Sequence, residues 1–417
     1  MPVEAALGAT EIACPVDIRG LRSGSFAVAS ENITEEAKMS THLQEAYLVS
    51  PLRTPIGRFG GGLSAVRPDD LLAHVFRAVV EASGVDAEAI EDVIAGCANQ
   101  AGEDNRNIAR MAGLLAGLPD SVPGVTVNRL CASSLEAVNM ASRAIWSGDA
   151  DLLLVGGVES MSRAPYSMAK NVSGRATAGN LVAYDTALGW RYPNPKMEAL
   201  FPLEAMGCTA ENLVDRYEIS RADQDAFALA SHQKSLAAWE SGAFDDEVLP
   251  VSVPQRKKDP IVIARDEGPR ADTSAERLGK LRAAFRDGGS VTAGNSSTLN
   301  DGAAALLVAS AKAVERFNLT PMGRVVATGT AGVDPTVMGI GPAPATRKAL
   351  AKAGWTTEDL DLIELNEAFA SQSLAVIREL GLQEERVNVH GGAIALGHPL
   401  GMSGARILVT LLHAMKR

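Results

Sequence analysis

The sequence contains few cysteines, and none of them is spaced as in a disulfide framework or a zinc site. The 417 residues include four cysteines, no C-x-x-C pair and no H-E-x-x-H motif. Widely separated cysteines of this kind are typical of proteins from a reducing compartment. We therefore expect no metal site and a cytoplasmic location. The cysteines are Cys14, Cys97, Cys131 and Cys208.

Two other absences narrow the set of partners. No apolar run approaches the length of a membrane span, and the formal net charge is −11. Nucleic acids and anionic membranes attract positive charge, so we predict neither as a partner. The start of the chain lacks the apolar core of a signal peptide, and we predict that residues 1–38 form a flexible N-terminal extension.

Three common nucleotide-binding and catalytic motifs are also missing. The sequence has no G-x-x-x-x-G-K-[ST] phosphate loop, no G-x-S-x-G nucleophile elbow and no strand-to-helix dinucleotide fingerprint. These absences argue against P-loop proteins, hydrolases with that elbow and dinucleotide-binding enzymes. We predict no resident cofactor.

Short apolar runs typical of buried strands alternate with helical patterns along most of the chain. Residues 46–50 and 152–156 are such runs, and residues 69–84 have acids at the start, helical spacing and a final glycine. This alternation predicts an α/β fold with mainly parallel strands. The stretch at about 161–290 is rich in loops and charge, and we predict that it is inserted into the first half.

An internal repeat relates the two parts of the chain. An offset of 270 residues aligns Gly84 with Gly354, and it lays helical patterns on helical patterns and strand patterns on strand patterns. The repeat aligns the last helix pattern of the sequence with the helix pattern that ends near Ser147 in the first half. In the first half, a strand pattern follows directly. We therefore expect the second half to lack its last strands. The predicted halves are residues 39–312 and 317–417.

Cys131 is the first candidate for a catalytic side chain. It follows "TVNRL" and precedes a helix pattern of small residues, so we expect its sulfur at a helix N-terminus. The helix dipole and the unpaired N–H groups there stabilise a thiolate and can hold an oxyanion. A buried structural cysteine explains the same position equally well.

His398 is the candidate partner of this thiol. It lies between glycines in "GHPLG", just before a helix pattern, and the 270-residue offset pairs it with Asn128. The repeat therefore puts His398 and Cys131 at equivalent ends of two related helices, where a histidine could act as a base. A histidine that only caps a structural turn is the alternative.

Three further segments are candidates for the same site. Asn366 opens "NEAFA" at the end of a strand pattern, where open α/β sheets bind ligands, although a helix N-cap explains it nearly as well. Residues 292–305 are small and either permit close approach of a ligand or form a plain turn. His390 belongs either to the site or to a glycine-rich turn. We interpret the remaining histidines as structural.

Together these segments resemble the thiolase family from about residue 45 to the end. β-Ketoacyl synthases share the fold and a cysteine, but not "NEAFA" with "GHPLGMSGAR". The resemblance implies a thiolase-like fold with two similar βαβαβαββ halves, a loop domain inserted in the first half, and a homodimer or homotetramer. It is carried by "NRLCASSLEAV", "GGVESMSRAP", "SRADQDAFALASHQK", "GNSSTLNDGAAA", "NEAFA" and "GGAIALGHPLGMSGAR".

The resemblance further implies thiolysis of a 3-oxoacyl-CoA by CoA, or the reverse condensation of an acyl-CoA with acetyl-CoA. Cys131 would form an acyl-cysteine intermediate, His398 would activate the thiols, and Asn366 would hold a water in the oxyanion hole. Acyl-CoA and CoA are then the substrates, and no cofactor or metal is implied. The pantetheine channel would be lined by Ser297, Ala368 and Phe369, and the CoA nucleotide would meet Arg256, Lys257 and Lys258.

Several positions depart from the family pattern. Ser134 stands where many members have glycine, and His390 where asparagine is common. The segments after residue 161 are closer to degradative 3-ketoacyl-CoA or 3-oxoadipyl-CoA thiolases than to biosynthetic ones. The family's second acid/base belongs to a C-x-G-x-G motif well beyond the position of His398, and this motif is absent because only 19 residues follow His398. We therefore expect a C-terminally truncated chain with impaired turnover. The alternatives are a CoA-thioester-binding protein without catalysis and a chain that is not a stable unit.

Overall fold

A computed structural model describes residues 4–9, 12–18, 44–170 and 180–417 of the chain. Most of its strands belong to one mixed sheet covered by helices, and the predicted α/β class is confirmed. The prediction of mainly parallel strands is wrong, because three strand pairs of the described sheet are parallel and eight are antiparallel. The strands are β1 Glu4–Ala9, β2 Ile12–Ala13, β3 Val16–Asp17, β4 Ala46–Arg53, β5 Gly57–Arg58, β6 Asp92–Gly96, β7 Gly124–Val127, β8 Leu152–Ser160, β9 Tyr166–Ser167, β10 Tyr184–Asp185, β11 Val251–Gln255, β12 Lys258–Ile263, β13 Asn300–Ala309, β14 Pro321–Val325, β15 Gly329–Thr330 and β16 Leu362–Leu365. The α-helices are α1 Pro68–Ser83, α2 Ile108–Ala116, α3 Ser133–Ser147, α4 Pro195–Leu200, α5 Met206–Tyr217, α6 Arg221–Glu240, α7 Ala275–Gly279, α8 Ala311–Arg316, α9 Pro342–Ala353, α10 Ala370–Leu380, α11 Ala393–Leu396 and α12 Leu400–Lys416.

The first half has the order β4–α1–β6–α2–β7–α3–β8, and β13 follows after a long insertion. β6 pairs in parallel with β7 and β8, whereas β13 pairs antiparallel with β8 and β4. β8 and β13 are buried along their whole length, because central strands of such a sheet pack on both faces. This is the βαβαβαββ order that the family resemblance implied.

The second half repeats part of this order as β14–α9–β16–α10–α12. α9 ends at Gly354 with a φ of 71°, and α1 ends at Gly84 with a φ of 69°. Glycine tolerates this left-handed conformation, which ends a helix, and the two glycines are the pair that the repeat aligns. β14 pairs antiparallel with β4, so in the described residues the two halves share one 12-stranded sheet.

The N-terminal residues differ from the flexible extension that the sequence predicted. β1 pairs in parallel with β16, and β3 pairs antiparallel with β14. Ala13, Cys14 and Val16 are fully buried. These strands are short and rich in small residues, so no apolar periodicity marks them in the sequence. The rest of the predicted extension, residues 1–3, 10–11 and 19–38, lies outside the described residues.

Helices cover the sheet in layers. α1 and α2 pack on the outer face of the first half, and α9 and α10 pack on the outer side of the second half. α3 and α12 pack against each other in an inner core, to which α3 contributes Leu135 and α12 contributes Leu408 and Met415. Among the described helices, none is both long enough and apolar enough to cross a bilayer.

The region between β8 and β13 contains helices α4 to α7 and two small hairpins, and a buried cation ties it to the sheet. Arg53 of β4 bonds Glu247 at 2.6 Å and Asp266 at 2.7 and 3.0 Å, and all three side chains are buried. Thr410 of α12 donates to Glu247 at 3.1 Å. One guanidinium therefore holds the first half, the inserted region and α12 together.

Arg53→Met tests this connection, because it removes the cation that faces two buried carboxylates. Uncompensated buried charge is costly, so we expect the free energy of unfolding to fall by about 3–5 kcal/mol. The matched control is Arg277→Met, which breaks an exposed pair with Asp272 and should cost about 0–1 kcal/mol. Urea unfolding followed by circular dichroism measures both variants. Equal losses would contradict the role assigned to Arg53.

Candidate active site

The turn before α3 carries Cys131 and is held in a strained conformation. Leu130 has a φ of 49°, which costs a residue with a side chain about 1–3 kcal/mol. Ser133 Oγ donates to Leu130 O at 2.6 Å and accepts the Arg129 N–H at 2.9 Å. These bonds stabilise the turn and hold the half-buried Cys131 directly before the helix.

His398 lies buried in the turn before α12, and Ser403 fixes its tautomer. The Ser403 hydroxyl donates to Pro399 O at 2.9 Å. The 2.6 Å bond between Ser403 Oγ and His398 Nδ1 therefore needs the ring proton on Nδ1. Nε2 is left as an acceptor. Burial, and then the nearby charge of Arg406, lowers the pKa of His398 to about 3, so the ring is neutral at physiological pH.

Asn366 follows β16 and reaches the acceptor nitrogen of His398. Its Nδ2 lies 3.4 Å from His398 Nε2. Its Oδ1 is buried and has no hydrogen-bond partner among the described residues. A buried carbonyl oxygen without a partner costs about 1–3 kcal/mol unless a water or ligand donates to it. This oxygen therefore marks a position for a water or for a donor group of a substrate.

The N-terminal turns of α3 and α12 lie against each other. Ser134 Oγ accepts a backbone N–H of α12 at 2.8 Å, and Gly157 of β8 leaves no room for a side chain between Ser134 and Gly401. Cys131 precedes Ser134 by three residues, and His398 precedes Gly401 by three residues. The two candidate catalytic side chains therefore lie at the same end of the helix pair.

The loop before β13 joins the segment that carries Asn366. The Ser297 N–H donates to Ala368 O at 3.0 Å. The Phe369 ring packs edge-on against Phe285, with the ring centroids 6.0 Å apart. The structure thus brings the three predicted channel residues together beside Asn366, and Ser297 lies on the wall of a cavity.

This cavity has a volume of about 550 Å³. Neither Cys131 nor His398 lines it. Its wall includes Ser297, which is hydrogen-bonded to Ala368, and Ala395, which precedes His398 by three residues. Three arginines on its wall stand in no basic run of the sequence, and so no pattern marks them in advance. They are Arg58, Arg270 and Arg277. The basic run at residues 256–258, which the sequence did suggest, lies exposed at the β11–β12 turn and is not part of the wall.

His390 belongs to a different part of the core. Its ring packs edge-on against Phe244, with centroids 5.8 Å apart, and Phe244 also stacks under Arg53. Burial lowers the pKa of His390. The structure therefore places His390 beside Phe244, next to the Arg53 network.

Glu367 follows Asn366 but serves the fold. Its carboxylate accepts hydrogen bonds from Ser231 Oγ at 2.7 Å, from Asn388 Nδ2 at 2.8 Å and from the Ile394 N–H at 3.1 Å. We interpret Glu367 as the group that joins α6 and the 388–394 turn to the strand that carries Asn366.

One buried cluster has the composition of a metal site. Cys97, Asp104 and Glu159 offer ligand atoms within 4.8 Å of one another. Glu159 already accepts three backbone N–H groups, including that of Gly401 at 2.9 Å, and Asp104 accepts two. Burial raises the pKa of Glu159 to about 7 and that of Cys97 well above its usual value. We therefore assign the cluster a structural role that connects the first half to α12.

The low pKa of His398 predicts an acid-dependent loss of stability. The unfolded chain protonates this residue below about pH 6.5, so the fold loses stability as the pH falls from there toward 3. Relative to His398→Asn, the free energy of unfolding of the wild type should fall by about 1.4 kcal/mol per pH unit in this range, measured by urea unfolding at pH 5.0 and 7.5.

The pH dependence of Cys131 alkylation is a second test of the neutral ring. We expect no inflection near pH 6.5 in the wild type. An inflection there that disappears in His398→Asn would contradict the buried neutral ring.

Known proteins match both halves of the chain. A model described as "Thiolase, N-terminal domain" matches residues 46–312, and one described as "Thiolase, C-terminal domain" matches residues 319–417. A beta-ketoadipyl-CoA thiolase of Pseudomonas aeruginosa is 54% identical over 377 residues, covering 90% of this chain and 93% of that protein. An Escherichia coli 3-oxoadipyl-CoA/3-oxo-5,6-dehydrosuberyl-CoA thiolase is 53% identical over 378 residues, covering 90% and 94%. The crystal structure of the Bacillus anthracis acetyl-CoA acetyltransferase matches with a TM-score of 0.84 at 44% identity, covering 91% and 94%.

These matches confirm the thiolase resemblance and the thiolase-like fold. They give no support to the expected C-terminal truncation, because the C-terminal domain model matches up to residue 417 and the chain spans 93–94% of the two curated relatives. The loss of the last strands of the second half is likewise not confirmed. With both domains matched and 54% of the aligned residues identical to a named thiolase, the chain belongs to the thiolase family of acyltransferases.

Proposed function

We propose that the protein catalyses the reversible thiolysis of a 3-oxoacyl-CoA through an acyl-cysteine. The Cys131 thiol gives its proton to His398 Nε2 as its sulfur bonds to the 3-oxo carbon. The bond between carbons 2 and 3 then breaks, and the acetyl-CoA carbanion takes that proton and leaves. The CoA sulfur then bonds to the acyl carbon as CoA loses its proton, and Cys131 leaves as a thiol. Two such steps have lower barriers than one direct transfer.

The observation that carries this proposal is the acceptor nitrogen of His398. Because Ser403 fixes the ring proton on Nδ1, Nε2 can take a proton from Cys131 or from the CoA thiol. Asn366 contacts the same nitrogen, and its free Oδ1 can accept a bond from a water. The second proton of that water would then point to the developing oxyanion.

The cavity beside Ser297 supports a position for CoA. Arginine side chains on its wall suit the phosphate groups, because a guanidinium binds phosphate through paired N–H donors. The small residues and Phe369 suit the pantetheine arm, which is narrow and partly apolar. Ser297, Ala368 and Phe369 would line the channel that leads toward Asn366 and the two catalytic side chains. CoA enters as a substrate, and the proposed steps need no other carrier.

The acyl group is assigned from the relatives. Two proteins that share 53–54% identity with this chain are named for beta-ketoadipyl-CoA or 3-oxoadipyl-CoA, and the sequence segments after residue 161 point to the same degradative class. We therefore propose a 3-oxoacyl-CoA whose acyl chain ends in a carboxylate as the preferred substrate.

Steady-state thiolysis with 3-oxoadipyl-CoA and with acetoacetyl-CoA tests this function. We expect kcat/KM to be at least about tenfold higher for 3-oxoadipyl-CoA. Cys131→Ser should lower kcat by at least about 10³-fold, and His398→Asn by about 10²–10⁴-fold. Cys208→Ser is the control thiol and should leave kcat unchanged. A preference for acetoacetyl-CoA would overturn the substrate class, and mass spectrometry that finds the acyl group elsewhere than on Cys131 would overturn the mechanism.

The same assay decides two expectations that came from the missing C-x-G-x-G motif. Impaired turnover and CoA-thioester binding without catalysis both find no support in the comparisons. A wild-type kcat within the usual enzyme range of about 1–10³ s⁻¹ would remove both. Binding of CoA in calorimetry without any turnover would favour the binding protein.

We further propose that the protein is a homodimer formed through the edge of its sheet. β7 lies at one end of the strand order, and apolar side chains around it are exposed. An open edge with apolar neighbours is a template for pairing with another strand. A second copy offers the same edge, so this contact closes on itself, and a tetramer would combine two such dimers. The exposed side chains are Leu114, Leu115, Val125 and Leu130.

Val125→Arg tests the dimer, because it puts two like charges at the centre of the paired edges. We expect the wild type to have the mass of a dimer or tetramer in light scattering after gel filtration, and the variant to be monomeric at micromolar concentration. Ile261→Arg, on the exposed β12, is the control and should keep the wild-type mass. A dimer that persists in Val125→Arg would contradict this interface.

A further inference from the structure

The two halves of the sheet have the same sequence of strand pairings. In the first half, β6 pairs in parallel with β8, β8 pairs antiparallel with β13, and β13 pairs antiparallel with β4. In the second half, β16 pairs in parallel with β1, β1 pairs antiparallel with β3, and β3 pairs antiparallel with β14. β16 and β14 correspond to β6 and β4 in chain order. β1 and β3 therefore take the positions of β8 and β13, although they come from the opposite end of the chain.

Side chains of this segment complete the inner core. Cys14 and Val16 are fully buried in the same apolar cluster as Leu412 and Met415 of α12. A Cβ atom on Gly323 of β14 would lie 2.7 Å from both Val16 Cγ1 and Leu412 Cδ2, so the three residues meet closely. Full burial of a valine, leucine or methionine side chain contributes about 1.5–3 kcal/mol to stability. A loosely attached tail would not bury them.

Polar contacts fix the same segment in its register. Arg324 donates to Asp17 Oδ2 at 2.9 Å, and Asp17 is 1% exposed. The Val326 N–H donates to Pro15 O at 3.0 Å. Buried polar groups that find specific partners specify one arrangement, because a slip by one residue would leave them unsatisfied.

We propose that β1 and β3 form a built-in strand pair that completes the sheet of the second half and holds Asn366 and His398 in position. Gly8 of β1 pairs with Leu365 of β16, the residue directly before Asn366. α12, which follows His398, packs against β1 and shares its apolar cluster with Val16. The positioning role rests on the proposed function, whereas the docking of the strand pair does not.

The thiol of Cys14 reports on docking in the intact protein. Burial raises its pKa to about 12, and alkylation needs both access and a thiolate. We expect brief exposure to iodoacetamide at pH 7.5 to modify Cys14 at least about 100-fold more slowly in the native protein than in urea. Cys97 is the buried control, and Cys131 and Cys208 are the half-buried ones. Peptide mass spectrometry resolves all four. A Cys14 that reacts at the same rate with and without urea would overturn the docked strand pair.

Val16→Asp tests positioning, because it puts a charge into the cluster that α12 shares with β3. We expect Cys14 to become reactive and kcat to fall at least about tenfold, with KM for CoA and the protection of the buried Cys97 unchanged. Val262→Asp is the control, since this strand residue is exposed, and it should match the wild type. Should Val16→Asp not fold, the milder Val16→Ala is measured in its place, with a smaller change in the same direction.

The outcomes separate this inference from the proposed thiolysis. A reactive Cys14 in Val16→Asp with unchanged kcat would overturn the positioning role while leaving the thiolase function intact. A wild type with protected Cys14 and no thiolysis would overturn the proposed function while leaving the strand pair intact. A fall in kcat accompanied by rapid alkylation of Cys97 would overturn positioning as well, because it would indicate general loss of structure.

Discussion

The active site depends on how closely α3 and α12 approach each other. A Cβ atom on Gly404 would lie 2.4 Å from the backbone nitrogen of Leu135, so the helices can pack at this distance only with glycine there. Ser134 adds a hydrogen bond at the same crossing. Because Cys131 and His398 belong to the turns before these helices, a wider crossing would separate the nucleophile from its base without changing either residue.

Buried charged groups hold the surrounding elements to this crossing. Glu159 accepts the N–H of Gly401 at the start of α12, and Glu364 of β16 pairs with Arg406 of α12 at 3.1 Å. Arg53 does the same for the inserted region. Such groups add little net stability compared with apolar residues. They are costly to leave unpaired, however, and so they favour one relative placement of the helix, the strand and the insertion.

Much of the candidate site could be predicted from local patterns, whereas its supports could not. Cys131 and His398 lie directly before helices, and the repeat places them at equivalent ends of those helices. Both patterns can be recognised in a single sequence. The arginines of the cavity come from separate segments, and only the fold brings them together. The role of Glu367 depends on partners 21 to 136 positions away. β1 to β3 are too short for a periodic pattern, so the sequence reads as a plain extension there.

The serines at the start of α3 and α12 show how two similar halves acquire different chemistry. Ser133 and Ser403 are equivalent in the repeat, and each hydroxyl donates to a backbone carbonyl of the preceding turn. Each also accepts one bond: from a backbone N–H in the first half and from the ring of His398 in the second. The position equivalent to His398 is Asn128, whose side chain braces its own turn. The backbones also differ, because Leu130 has a φ of 49° whereas the equivalent Leu400 already belongs to α12. Two related turns thus present a mechanical support in one half and a proton acceptor in the other.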